Sequence, residues 1–493
     1  MIVKNEEKYL EACLDSVKNV VDEIVVVDTG STDSTKKIAY KYGAKVYDFE
    51  WINDFSAARN FALSKSNGDW ILYLDADERL NSKCIDELKK ICTARNDKAY
   101  LCKIINLDDT RGRPSIMSYV RLFPKLEGVK FEGKIHEQIE PSLIKNKIPI
   151  EKSNIEIIHV GYDIQNKELK RKANRNLEIL YKEYERTKSA YYAFQIAQSL
   201  HILDNEAEAI KYFLEALKDN NLKNEYKATA MRSLAVYLLD QQDLDTAREY
   251  IEKSIKTDPY QPLSYLVAAK IYAMLKDASK AIDFVKSALK LNRQQVLTSQ
   301  NILVDEYTVL YLGLTIAAKF DDLQSLNYFL GLFEKLSNAL KIKSKIVELS
   351  LIRKLLTKTL LSNEEIESLI EQLNKDNIEL FITLFKKNNV NNYSSFIEKA
   401  LKVLPDLTTL SKEYCLILMD QKQFDKAESL LSKILSESNN DLQAIMYLIA
   451  VYLETNQIEK LMSFVDDNKQ LLSTNPFLAQ KLNTLLQQVI RGK

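Results

Sequence analysis

The sequence predicts an α/β domain with a parallel sheet over residues 1–165, followed by an all-α repeat array over residues 166–493. Three observations carry that expectation. Seven of the ten glycines, Gly30, Gly43, Gly68, Gly112, Gly128, Gly133 and Gly161, fall in the first third of the chain, where turns between short elements need them. In the same third, short β-branched runs alternate with amphipathic segments, the pattern of βαβ units. From about Lys167 the apolar residues recur at helical spacing. A 34-residue step links Ala247 to Ala281 and Ala427 to Leu461. The boundary is expected near Asp163 to Lys170.

A chain of 493 residues is too long for one ordinary core. Its 69 Lys and Arg balance 69 Asp and Glu, and no basic run points to nucleic acid. The five cysteines, Cys13, Cys84, Cys92, Cys102 and Cys415, show no paired metal spacing and suit a reducing compartment. No apolar stretch reaches the length of a transmembrane segment and no secretory signal opens the sequence, so a soluble, cytoplasmic protein is expected.

Met1 to Val3 reads as the end of a strand, and Asn5 as the cap of a helix from Glu6 to about Val20. Glu23 to Val27 reads as a buried parallel strand. It ends in Asp28-Thr29-Gly30-Ser31-Thr32-Asp33, a turn that leads into a helix closed by Gly43. Lys45 to Phe49 is a further strand, and Asp54 to Asn60 opens the next helix. The run Trp70 to Leu74 then reads as a strand of the same parallel sheet, ending in Asp75-Ala76-Asp77.

That triplet organises the functional reading. In an open α/β sheet the ligand crevice lies outside the carboxyl ends of the strands. Two carboxylates there suit Mg²⁺ or Mn²⁺, which in turn hold phosphate oxygens. Asp-x-Asp also occurs in plain strand-to-helix turns, so its company matters. Asp28 sits at the end of its own strand and is expected to share the crevice; Asp33 is expected only to cap a helix.

Ile2-Val3-Lys4-Asn5-Glu6, the Asp28–Asp33 turn, Phe55-Ser56-x-Ala58-Arg59-Asn60 and Asp75-Ala76-Asp77 follow one another in register. Together they resemble the family 2 glycosyltransferases of GT-A fold, over about the first third of the chain. The resemblance implies inverting transfer from a nucleotide sugar, most often a UDP-sugar. It assigns Asp28 to the uridine, Asp75 to the ribose or the metal, and Asp77 to the metal bridging the diphosphate. Val3, Asn5, Glu6 and Ala76 belong to the same donor-binding set. Arg59 either lies near the nucleotide or phosphates or is a surface helix arginine. Family members carry more apolar residues before the Ile-Val-x-Asn-Glu segment, so the first strand is expected to be short here or the reading frame to begin late.

Tyr100 to Asn106 and Ser118 to Phe123 read as strands, and two of the three histidines follow, in Gly133-Lys134-Ile135-His136-Glu137-Gln138 and His159-Val160-Gly161-Tyr162. Both segments resemble the branch that glycosylates peptides, including the peptide S- and O-glycosyltransferases of glycosylated bacteriocin pathways. The resemblance implies that His159 completes the metal site, which favours Mn²⁺ for its nitrogen ligand. Inverting transfer needs a base opposite the leaving diphosphate. Glu137 is the first candidate, with His136 or Glu132 behind it; Glu137 could instead form a structural salt bridge with Arg121 or Lys134.

In the second part the segments beginning at Glu206, Leu244, Ala278 and Phe424 repeat a helix start, and Tyr393 precedes Ala427 by the same 34 positions. Pro259 and Pro405 each stand 12 positions after a repeat residue, Ala247 and Tyr393. This period resembles tetratricopeptide repeats, whose stacked helix pairs form a superhelix. Such an array either stabilises the first domain, forms a homo-oligomer or docks a peptide or protein acceptor. The expectation is an inverting, metal-dependent transferase that moves a hexose or N-acetylhexosamine from a UDP-sugar to a Cys, Ser or Thr side chain. Two rivals are a transferase acting on a saccharide or lipid-linked envelope precursor and an interaction scaffold with an inactive nucleotide-sugar domain.

Overall fold

The computed structural model describes residues 1–93, 97–106, 115–160, 166–294, 304–387, 392–437, 441–469 and 472. An α/β amino-terminal part is followed by helices alone, as expected. The chain divides into two compact units. The first comprises residues 1–231, 253–264 and 290–305; the second comprises 232–252, 265–289 and 306–493.

In the first unit, β1 (Ile2–Val3), β2 (Val25–Asp28) and β3 (Lys45–Asp48) form a parallel sheet in that order, with Val3 opposite Asp28 and Val27 opposite Tyr47. Helices α1 (Leu10–Val17), α2 (Thr35–Lys41) and α3 (Phe55–Lys65) connect and follow the strands. Leu10, Leu14, Val26 and Ala39 make the apolar contact between α1, α2 and this sheet. Asp54 caps α3 by accepting from the Ala57 N–H at 2.8 Å, which satisfies one of the helix's unpaired donors. Gly43 ends α2 in the left-handed region, at φ +71°.

Two sequence readings are corrected here. Asn5 does not cap α1, which begins at Leu10. With φ +57° Asn5 instead ties two loops: its N–H donates to Ser31 Oγ at 2.9 Å and its Oδ1 accepts from Thr32 N–H at 2.8 Å. The strand before Asp75 does not join the parallel sheet. β4 (Trp70–Leu72) pairs antiparallel with β7 (Ser115–Pro124), in a second sheet ordered β4-β7-β6-β8-β5. Here β5 is Glu78–Leu80, β6 is Ala99–Asn106 and β8 is Ile150–His159. β1 is only two residues long, and an apolar cavity of about 320 Å³, lined by Met1, Val25, Trp70 and Leu72, lies between β2 and β4. β6 runs parallel to β8 and antiparallel to β7. Cys102, Ile104, Leu122, Ile155 and Ile157 fill one face of this sheet. Val120, Phe123, Phe131 and Leu143 fill the other, with α4 (Ile85–Cys92) and α5 (Glu140–Lys145) lying between strands in sequence.

The unit continues into α6 (Asn166–Thr187), α7 (Ala190–Ile202), α8 (Glu206–Ala216) and the start of α9 (Asn224–Asp240). Phe194 packs on Phe213 and Tyr226 at 6.1 and 5.1 Å between ring centres.

Among the described residues, thirteen further helices, α10 to α22, follow between Leu244 and Asp467. In the second unit Ala247, Ala281, Ala427 and Leu461, the positions of the 34-residue step, are all fully buried. The small alanine at three of the four lets neighbouring helices approach. Pro405 lies in the turn after α18 (Tyr393–Val403). Leu431, Ile445, Leu448 and Leu461 form a continuous apolar seam along the last helices. No described helix is long and apolar enough to cross a membrane.

Candidate active site

A pocket of about 570 Å³ opens in the first unit, where the ends of β1, β4 and β8 meet the segment 135–140 and residues of α6, α7 and α9. Val3, Glu6, Arg59, Asp75, Ala76, Asp77, His136, Glu137 and His159 all line it. Asn5 and Asp28 do not, though Thr29, next to Asp28 at the end of β2, does.

Asp75 emerges from β4 into a pair of buried guanidinium groups. Its Oδ1 accepts from Arg59 at 2.8 Å, and its Oδ2 lies 3.4 Å from Arg121, which also meets Glu78 Oε1 at 2.5 Å. Burial opposes ionisation of Asp75, but Arg59 and Arg121 outweigh it and hold the carboxyl well below the usual range. Burial, reinforced by the charge of Asp75, pushes Glu78 upward against Arg121. Arg59 is no surface arginine: its side chain is 11% exposed, it lies over the rings of Tyr73 and Phe131, and its Nε donates to Glu137 Oε1 at 2.5 Å. Thus Glu137 bridges Arg59, not Arg121 or Lys134. Both carboxylates flanking Arg59 are oriented by one cation.

Asp77 points the other way. β5 pairs antiparallel with β8 so that Glu78 stands opposite His159, and the Val160 N–H donates to the Asp77 carbonyl at 3.0 Å. This register brings Asp77 Oδ2 to 3.2 Å from His159 Nε2. The other ring nitrogen, Nδ1, lies 2.8 Å from Asn106 Oδ1. An amide oxygen only accepts, so Nδ1 donates its proton to Asn106. Burial opposes a charged ring, but the Asp77 carboxylate at Nε2 raises the His159 pKa, so an ion here would take the place of a proton between Nε2 and Asp77. Cis ligands of an octahedral ion held at about 2.1 Å stand about 3 Å apart, so this pair fits two ligand positions of a divalent ion. Among the described residues no third His, Cys, Asp or Glu joins them in one cluster. The remaining positions would fall to substrate oxygens and water, as is usual for Mg²⁺. Glu6 lines the same corner, and burial and the charge of Asp77 push its carboxyl up to about 7, against the opposing pull of Lys172.

Asp28 is 1% exposed. Its Oδ1 accepts from the N–H groups of Gly30 and Ser31 at 3.0 and 2.9 Å. Its Oδ2 has no hydrogen-bond partner among the described residues. A buried carboxylate oxygen without a donor is costly unless a ligand supplies one. Gly30 takes φ +106°, which allows this tight turn around the carboxylate. Thr29 anchors the turn to β1 by donating to the Val3 carbonyl from both N–H and hydroxyl, at 3.0 and 3.1 Å. Asp33 does not cap α2, whose N-cap is Ser34 with no side-chain cap; it accepts from the Thr35 N–H and hydroxyl and from the Glu7 N–H, tying the turn to the loop after β1.

Sequence reasoning missed Arg121, Glu78, Lys172, Arg175 and Tyr226 as site residues, and Tyr191, a tyrosine that the sequence left open to an acceptor groove, lines the pocket itself. Arg121 and Glu78 are adjacent to recognised motifs, and an arginine inside an otherwise apolar strand was the available signal. Lys172 and Arg175 line the pocket from α6, where Lys170, Arg171, Lys172 and Arg175 make a cationic turn; Arg175 covers the Phe55 ring at 5.5 Å. Gly161 and Tyr162, the end of the second histidine motif, lie outside the described residues, as does the segment 107–114. Glu132 does not line the pocket; its backbone pairs with Gln138.

Residues 1–146 match the Glycosyl transferase family 2 model, and residues 205–262 and 233–295 match a Tetratricopeptide repeat model. A TPR repeat-containing protein of Synechococcus elongatus is 40% identical over 144 residues, 29% of this chain and 35% of its own. The SPbeta prophage-derived glycosyltransferase SunS of Bacillus subtilis is 29% identical over 319 residues, 62% of this chain and 69% of its own. The chain therefore spans about a third of the length of the first relative and two thirds of the second. The yeast Tom70 crystal structure is 15% identical, covering 65% of this chain and 63% of its own, at a TM-score of 0.37.

Proposed function

Because the chain carries a family 2 glycosyl transferase domain joined to tetratricopeptide repeats, we propose that it is a metal-dependent inverting glycosyltransferase. It moves a hexose or N-acetylhexosamine from a UDP-sugar to a Cys, Ser or Thr side chain of a peptide or protein. The observation that carries this reading is the Asp77–His159 pair at 3.2 Å, with Nδ1 of His159 held by Asn106 so that Nε2 faces Asp77. Asp77 and His159 would hold Mn²⁺ or Mg²⁺, and a bound ion supplies stabilisation of the charge gathered on the departing diphosphate.

The other roles fall to the chain's own groups. The unpartnered Oδ2 of Asp28 accepts the imide N–H of uracil. Lys172 and Arg175 face the pocket as cations for the diphosphate. Asp75, ionised by its two arginines, accepts from ribose hydroxyls or assists at the ion. Glu137, steadied by Arg59, takes the proton of the acceptor as its sulfur or oxygen bonds to the anomeric carbon. The bond from that carbon to the diphosphate oxygen breaks with its electron pair, and UDP leaves. The peptide acceptor rests on the repeats, which commonly form concave binding surfaces, and on the resemblance of the two histidine segments to peptide glycosyltransferases.

The test is a UDP-release screen over a panel of UDP-sugars with and without Mn²⁺, in water, with Cys-, Ser- and Thr-containing peptides, and with an oligosaccharide. Metal-dependent release, raised by peptide, is expected for one donor. Asp77→Ala should lower it by about a hundredfold or more. Release stimulated by an oligosaccharide and not by any peptide would replace the acceptor assignment; undiminished turnover in Asp77→Ala would remove the metal assignment.

A further inference from the structure

The segment that bears His136 and Glu137 is a tight loop. Glu132 and Gln138 close it by exchanging backbone hydrogen bonds at 2.9 and 3.0 Å. Gly133 and His136 both adopt left-handed backbone, at φ +96° and +51°. For histidine that conformation is unfavourable and has to be held by surrounding contacts. On one side α3 holds the loop: the Phe55 N–H donates to the Lys134 carbonyl at 2.8 Å, and Arg59 donates to Glu137.

On the other side the loop is held by helices that follow the α/β part. Lys134 Nζ pairs with the buried Glu183 of α6 at 2.9 Å. The side-chain amide of Gln138 donates to the Tyr191 hydroxyl of α7 at 3.0 Å and to the Tyr226 hydroxyl of α9 at 3.3 Å. The Tyr191 hydroxyl in turn donates to the His136 carbonyl at 3.3 Å, so the chain of hydrogen bonds returns to the loop two residues from where it left. The two phenol rings meet edge to face at 5.4 Å, and Tyr226 is 3% exposed. The clamp is therefore rigid on its helical side.

We infer that Gln138, Tyr191 and Tyr226 are positioning residues for transfer: the first helices of the array hold His136 and Glu137 in reacting geometry, while donor binding is left to other residues. This inference rests on the proposed role of Glu137. It makes the helical part a component of the active site and gives an acceptor on the helices a direct route to the loop.

The experiment compares wild type with Gln138→Leu, Tyr191→Phe, their double variant and Glu137→Gln. It measures UDP binding by calorimetry, kcat for hydrolysis of the UDP-sugar turned over fastest, and hydrogen–deuterium exchange of the 132–138 amides. Each single clamp variant is expected to lower kcat about tenfold, with UDP affinity within twofold of wild type. Exchange in the loop should rise while it stays unchanged in β2 and β4. The double variant should lose little more than either single one, because both break one chain of bonds. Tyr191→Phe removes a single oxygen from a retained ring, so it reports even if Gln138→Leu folds poorly. Unchanged loop exchange in both single variants would overturn the inference, as would kcat within twofold alongside an inactive Glu137→Gln. If Glu137→Gln keeps near wild-type turnover, the base assignment fails; clamp variants that still lower kcat would then show that the loop positions another group.

Discussion

Asn106 accepts from Nδ1 of His159 and so leaves Nε2 as the nitrogen that faces Asp77 and would serve an ion. Removing an outer partner of a ligating histidine commonly weakens metal binding about tenfold to a hundredfold. Asn106→Ala should therefore raise the Mn²⁺ concentration for half-maximal UDP release by that factor while maximal turnover recovers at high Mn²⁺; an unchanged Mn²⁺ titration would separate His159 from the metal. Asp28 offers a second single-residue test. Its Oδ2 is the wanting acceptor, so Asp28→Ala should weaken UDP at least tenfold and bring its affinity toward that of inorganic diphosphate. Equal UDP affinity in the variant would place the base elsewhere. These residues were legible because strand end and carboxylate sit side by side in sequence. Arg59 was half legible: its motif marked it, but its double contact with Asp75 and Glu137 spans 16 and 78 positions. Gln138 and Tyr226 stand 88 positions apart, and no local pattern joins them.

Elements hold these residues in place by contacts that can be tested one at a time. Glu23, just before β2, accepts from Lys45 at 2.7 Å and from the Asn67 backbone at 2.7 Å, joining the start of β3 to the loop after α3. Lys45, followed by the Asn67 N–H, pulls its carboxyl down from 4.5 to about 2. A depressed carboxyl stabilises the fold above its unfolded pKa and loses that contribution as pH falls through the folded value. Wild type should thus lose thermal stability between about pH 4.5 and 2 more steeply than Glu23→Gln; parallel curves would refute the pairing. In the repeats, a Cβ on Gly313 of α13 (Glu306–Lys319) would come within 2.7 Å of the Phe329 ring. Gly313→Ala should cost about 1–3 kcal/mol, read as a lower Tm; an unchanged Tm would mean the helices separate freely. Strand and helix identity was legible from periodicity, and so was the 34-residue register. Sheet membership was not: β4 pairs with β7, some 50 positions onward, and that pairing depends on partners no local window contains. The same distance effect misplaced Asn5, whose side chain is used across 27 positions to brace a loop.

At the scale of the whole molecule, zero net charge and the absence of a basic run leave the cationic turn of α6 as a local feature of the pocket. Lys172→Ala with Arg175→Ala should accordingly weaken UDP more than uridine, and the difference should shrink with salt. The first compact unit runs on through α6, α7, α8 and the start of α9, so the pocket draws its wall from the α/β part and from these helices alike. The division between domains expected at residues 165 and 166 is proposed as a boundary of sequence families, with one pocket served from both sides of it. The central claim is that Asp77 and His159 join a divalent ion to a nucleotide diphosphate. The most direct measurement is calorimetric titration of UDP into wild type and Asp77→Ala, each with and without Mn²⁺. The account predicts UDP binding in wild type that tightens at least tenfold with Mn²⁺, and an Asp77→Ala variant whose affinity no longer responds to the ion. Metal-independent affinity in wild type, or an equal response in the variant, would contradict it.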